Sequence, residues 1–260
     1  MISLIRSSVH ALVAVCAVCV LILNPVMARA QGSGGTGGGA EPRFLVDAPT
    51  AGMLSGGTLA MDLDFFQDGG VLAGVSFGVL NRLSIGISYG GSGLIGNETA
   101  VFNPAPGFNV RVRPFEEGLS FPALVLGFDS QGKESYLDDL DEYTILSKGF
   151  FLAASKNFGF AGFLSVHGGL NYSLDQPADD RTVDFFLGAE KTIGSVISAL
   201  VEYNSGGGPT SRDRGYMNLG LRWSVGGGFT LGFDLKDLTR NGGKVSIGNR
   251  SVKIEFQSPL

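Results

Sequence analysis

The chain has 260 residues, 41 of them glycine, with two cysteines, 19 basic and 24 acidic residues. Both cysteines, Cys16 and Cys19, fall in an N-terminal segment that reads as removed on export, which excludes disulfide scaffolds, zinc-cysteine sites and cysteine nucleophiles from the mature protein. Loss of Arg6 and Arg29 with that segment leaves 17 basic against 24 acidic residues, a net charge of 17 − 24 = −7, and such a balance excludes nucleic acid as a partner.

Residues 1–30 read as a cleaved signal peptide. Arg6 supplies a positive start, 11–23 an apolar run, and Ala28-Arg29-Ala30 a small-x-small cleavage site. The apolar run is shorter than the ~20 residues a spanning helix needs. Residues 31–56 divide into QGSGGTGGGAEP (31–42), a glycine-rich flexible tether, and an adaptor over 43–56 to which the pattern assigns no conformation. From position 57 to 260 apolar residues alternate with polar or tiny ones, the period of a strand whose two faces meet different environments.

This alternation predicts about twelve strands, over 58–66, 71–80, 83–90, 108–114, 120–128, 144–158, 162–172, 182–192, 195–203, 216–225, 229–238 and 251–256. Most are near the ~9 to 11 residues with which a tilted strand crosses the hydrocarbon layer. Glycine within strands marks bends and close backbone approach, as a closed sheet requires. Long connections at 91–107, 129–143, 173–181, 204–215 and 239–250 alternate with short turns near Asn81, Glu116, Gly159, Gly194 and Gly226. Alternate long and short connections with an even strand count describe an all-β fold, a single antiparallel transmembrane β-barrel with both termini at the short-turn, periplasmic end. The 67–70 turn is the one short external connection.

Faces follow residue by residue. Met217, Leu219, Leu221, Trp223 and Val225 share one face, and Asn218, Gly220, Arg222 and Ser224 the other. The apolar face meets lipid and the polar face the lumen. Tyr89, Phe128, Tyr143, Phe158, Tyr172 and Tyr203 fall at strand ends, where amphipathic rings suit a bilayer interface. Val252, Ile254 and Phe256 alternate as a barrel-assembly signal does, followed by 257–260. The expected partners are outer-membrane lipid and lipopolysaccharide and the barrel-assembly machinery, at the bacterial outer membrane.

The strings VRVRPF, FPALVLGFDSQG, SKGFFLAASKNF and HGGLNYSL, with EKTIGSVISALVEYN and RGYMNLGLRWSVGGGFTLGFDLKDL further on, resemble the YjbH family of outer-membrane barrels associated with exopolysaccharide gene clusters. The resemblance covers most of 111–238. It implies a non-enzymatic barrel assisting exopolysaccharide or other envelope-polymer export, with polysaccharide-export components as partners. Members of that family can carry a second barrel-like half and periplasmic modules, for which this chain has no room.

Candidate site residues are those placed inward by the alternation: Asp62, Asp64, Arg111, Arg113, His167, Glu190, Glu202, Arg222, Asp234 and Lys236, with Lys253 and Glu255 beyond them. Mixed charges in a barrel of this size either line a narrow aqueous path, giving a small pore, or pair across it and plug it, giving a scaffold; the cost of burying unpaired charge favours pairing. Arg111 and Arg113, at i and i+2 near Glu116-Glu117, suit an anionic sugar or phosphate, or carboxylates on adjacent strands. The acidic run 138–142 lacks the spacing and turn glycine of a calcium loop. A lipid hydrolase is the weaker alternative. His167 has Ser165 two residues earlier on its own face, about 7 Å along the strand, too far for a serine–histidine pair. No cofactor or metal is implied.

Overall fold

The computed structural model describes residues 41–209, 211–212, 214–242 and 249–260. The expected signal peptide over 1–30 and the part of the expected tether over 31–40 lie outside the described residues. Strands form in chain order as β1 (Thr58–Phe66), β2 (Gly70–Leu80), β3 (Leu83–Ser92), β4 (Val101–Phe102), β5 (Gly107–Phe115), β6 (Ala123–Asp129), β7 (Lys133–Leu137) and β8 (Glu142–Ile145). They continue as β9 (Gly149–Gly159), β10 (Phe163–Tyr172), β11 (Val183–Thr192), β12 (Ile197–Asn204), β13 (Tyr216–Gly226), β14 (Phe229–Lys236) and β15 (Asn249–Pro259).

Twelve of these close into one antiparallel barrel. Each pairs with its neighbours in the order β1, β2, β3, β5, β6, β9, β10, β11, β12, β13, β14, β15, and β15 returns to β1 with Asp62 opposite Glu255 and Asp64 opposite Lys253. At the short-turn end the last residue comes back to the start of β1, where Leu260 N–H donates to the Gly57 carbonyl at 2.8 Å. β4 only extends the pairing of β3. The long connection between β6 and β9 builds its own hairpin, β7 with β8.

That hairpin corrects two expectations. The strand expected over 144–158 is two elements, because strand pairing breaks off over 146–148 and Gly149 takes φ 56°. Tyr143, expected at the bilayer interface, lies in β8 and is buried, stacking edge-on against Tyr136.

The outer wall is apolar and exposed around the barrel. Phe108, Leu187, Leu221 and Trp223 each leave roughly half of their surface open, which is untenable in water over so large an area and is what lipid requires. No helix among the described residues is long and apolar enough to cross a membrane; the strands do so.

The core is inside. Barrels of eight strands are filled by their own side chains, whereas sixteen or more leave a channel; twelve leave a gap that something must occupy. Here residues 41–56 enter from the short-turn end, turn back within the lumen and leave to begin β1. Phe44 and Pro49 bridge the two limbs, with Leu45 N–H donating to Ala48 O at 2.9 Å and Thr50 N–H to Arg43 O at 3.0 Å. The limbs pass so closely that a Cβ on Gly52 would stand 2.1 Å from the Pro42 carbonyl. The adaptor is therefore a plug. The tether expected through Pro42 loses its last two residues to it, since Glu41 accepts from Met53 N–H at 2.9 Å. Ala48, Ala51 and Met53 pack against Val125, Phe151, Ala153 and Phe186, an apolar sector of the inner wall on β6, β9 and β11.

Candidate functional site

The apex of the hairpin is a run of main-chain donors, and β12 sets an anion against it. Glu202 is fully buried. Its carboxylate accepts from the N–H groups of Val46 (2.8 Å), Asp47 (2.9 Å) and Ala48 (3.0 Å), and from Asn218 Nδ2 at 2.7 Å. Three successive N–H groups around one carboxylate make a charge-assisted grip on the backbone. The carbonyls of the same segment go to cations. Arg222 donates to Leu45 O, Lys253 to Val46 O, and Arg111 to Arg43 O (2.8 Å) and Thr50 O (3.3 Å). Ala51 N–H donates to Ser155 Oγ at 2.8 Å.

Three hairpin side chains add ion pairs. Asp47 lies 2.8 Å from Lys236 Nζ. Arg43 lies 2.6 Å from Asp62, which the register places opposite Glu255, so the hairpin brings a cation to a spot where two acids face each other. Glu41 pairs with Arg113, which also holds Glu116 at 3.1 Å. Burial pushes the Glu41 carboxyl above its ordinary value, against the pull of Arg113.

From the opposite end the β7–β8 hairpin reaches down to meet the plug. Glu134 takes φ 64°, the left-handed region, and its buried carboxylate bonds Asn249 Nδ2 and lies 3.1 Å from Lys236. Burial raises the Glu134 carboxyl, with Lys236 opposing. Lys133 stands 5.1 Å over the Phe44 ring, and Arg111 4.4 Å from the same ring. Segments thus enter the lumen from both ends, and Lys236 touches both.

All ten expected inward residues point into the lumen. Arg111, Arg113, His167, Glu190, Glu202, Arg222, Asp234 and Lys236 are buried, and Asp62 and Asp64 line a remaining gap. Arg222 pairs with Asp234 at 2.6 Å across neighbouring strands. Arg111 and Arg113 are engaged by hairpin carbonyls, Glu41 and Glu116. His167 bonds Ser155 of β9 at 2.7 Å, while Ser165 turns to Asn157. His167 Nε2 meets no hydrogen-bond partner among the described residues, so no third group orients the ring as a serine–histidine nucleophile requires. Residues 138–141 of the acidic run form the β7–β8 turn and Glu142 begins β8, and no cluster of three metal-ligating side chains occurs among the described residues.

Sequence reasoning missed Glu41, Arg43, Asp47, Glu134 and Ser155. A cavity of about 90 Å³ persists beside the hairpin, against β1, β2, β3 and β5, lined by Arg43, Asp62, Asp64, Ser88, Gln131 and Lys253. Its volume is enough for a few waters.

No protein-family model matches this sequence, nor does any curated protein. Among solved structures the barrel is similar to the KdgM porin, alone and in complex with disordered oligogalacturonate, each at 9% identity and TM-score 0.47 over 78% of this chain and 99% of that one. It is also similar to the NanC porin, at 10% identity and TM-score 0.42 over the same shares. Likeness of this degree says nothing about what the lumen carries.

Proposed function

We propose that this protein is a non-enzymatic, gated small pore of the bacterial outer membrane, held shut by its own N-terminal hairpin. One observation carries this: the hairpin is fixed to the wall through Glu202, Arg111, Arg222, Lys236 and Lys253. A wall that is never wetted gains little from its ion pairs, since replacing them by well-packed apolar side chains is often neutral or stabilising, whereas the hairpin's main-chain groups need partners in either state. A wall that water reaches whenever the gate leaves needs polar groups. The apolar sector at Val125, Phe151 and Phe186 favours a second role, a permanently filled scaffold.

The mature chain's lack of cysteine provides the test. Ala51 N lies 2.8 Å from Ser155 Oγ, so Ala51→Cys with Ser155→Cys can lock hairpin to wall. In planar bilayers, openings are expected from the reduced double variant and none from the oxidised one. A chain silent in both states, and in Glu202→Gln, is a scaffold. A part in exopolysaccharide or envelope-polymer export, with export components as partners, is a further proposal whose support is the YjbH-like strings; unchanged surface polysaccharide on deletion of the gene removes it.

A further inference from the structure

The wall grips the hairpin mostly by its main chain. Glu202 takes the N–H groups of residues 46, 47 and 48; Arg222, Lys253 and Arg111 take the carbonyls of 45, 46 and 43; Ser155 takes the N–H of 51. Of the apex side chains only Asp47 is held by charge, at Lys236. Leu45 and Val46 are limited by space, as at Gly188, where a Cβ would stand 2.3 Å from Leu45 Cδ1. Peptide N–H and C=O groups are the same in any sequence without proline. The arrangement of one anion facing successive donors, flanked by cations facing carbonyls, is therefore complementary to a backbone turn and not to a particular sequence.

We propose that the lumen wall centred on Glu202 is a peptide-binding site whose ligand class is a tight main-chain turn with one acidic residue at its apex, and that residues 41–56 are its resident occupant. A free peptide of that form competes for the same site. This rests on the hairpin being displaceable, as in the gated pore above. Because the resident copy is joined directly to β1, its effective concentration is of order millimolar, and a free peptide enters only when that copy is disabled.

The test uses the full mature chain carrying Val46→Pro and Ala48→Pro, which removes two of the N–H donors to Glu202, with heat-modifiable gel mobility to show a folded barrel; Val46→Pro alone serves where the double variant does not fold. The probe is a fluorescent synthetic peptide of residues 41–56, read by anisotropy. It is expected to bind the proline variant at least about tenfold more tightly than the unmodified chain. The same peptide with proline at 46 and 48 is expected to bind the variant at least about tenfold less well, and adding Glu202→Gln to the chain to remove most of that difference. Equal binding of the two peptides, or none by a folded variant, overturns the site. A folded variant that binds peptide yet never conducts overturns the pore and leaves the site standing.

Discussion

The Lys236 ammonium stands 2.8 Å from the Asp47 carboxylate, both almost wholly buried, and 3.1 Å from Glu134 of the external hairpin. One cation on the last residue of β14 thus joins the plug entering from one end to a loop entering from the other. Releasing either segment leaves the other still partnered.

Removal of the cation is a different matter. Lys236→Met leaves Asp47 and Glu134 buried without their shared partner, and breaking such a pair by removing one member costs about 3–5 kcal/mol. The variant is expected to open far more often in single-channel recordings. Adding Asp47→Asn and Glu134→Gln is expected to recover most of the closed time, since neutral groups need no counter-charge. A closed fraction unchanged in the single variant would remove Lys236 from the gate.

Glu202→Gln weakens three backbone bonds while keeping their geometry. Hydrogen bonds to a charged group contribute ~1.5–3 kcal/mol each, so a rise in open fraction of about tenfold or more is expected. Barrel stability, read by the temperature of the gel-mobility shift, is expected to change little, because Glu202 bonds the hairpin and Asn218 and not the wall's sheet ladder. A large fall in that temperature without added openings would make Glu202 a support of the wall alone.

Gly52→Ala acts on the hairpin only. Its Cβ would meet the Pro42 carbonyl at 2.1 Å, so the two limbs must separate. Faster cleavage of the 41–56 segment by an added protease is expected, with the barrel strands still protected. Equal cleavage rates in both chains would show that the limbs already part in the unmodified protein.

Acidification is expected to tighten the gate. Burial raises Glu41 and Glu134 above their ordinary value of 4.5 while Arg113 and Lys236 oppose; the Glu41 carboxyl returns to that value once the hairpin withdraws into water, and the Glu134 carboxyl falls toward it as the Asp47 charge leaves and water reaches the emptied lumen. The closed state then binds protons more tightly than the open one. Its gain is fully present below the ordinary value and is lost as pH rises through the raised values. Open probability is expected to fall as pH drops through the raised values toward 4.5, and Glu41→Gln with Glu134→Gln to flatten the profile. A rise in openings on acidification contradicts this.

The wall was legible in the sequence because lipid on one side and polar contents on the other impose a two-residue period on each strand. The same period placed Arg111, Glu202, Arg222 and Asp234 inward. It could not reveal their partners. RFLVDAPTAGMLSG, residues 43–56, has no period, since it meets walls on all sides, and main-chain contacts leave no side-chain code to read. Ser155 was missed beside His167 because its approach is across strands and depends on register, whereas Ser165 is merely near in sequence. Glu134 was missed because a non-glycine residue at positive φ inside an acidic loop looks like any solvated turn.

The hairpin also touches both strands between which the sheet closes. Arg43 holds Asp62 of β1 and Lys253 of β15 holds the Val46 carbonyl, while β1 and β15 pair with each other. Those strands come from opposite ends of the barrel sequence, so theirs is the pairing with the greatest loop-closure entropy and the slowest to form. Docking of the hairpin needs both in place. It therefore works as a staple applied from within once the seam has met, and a barrel released from assembly before that moment would be both open and unfastened.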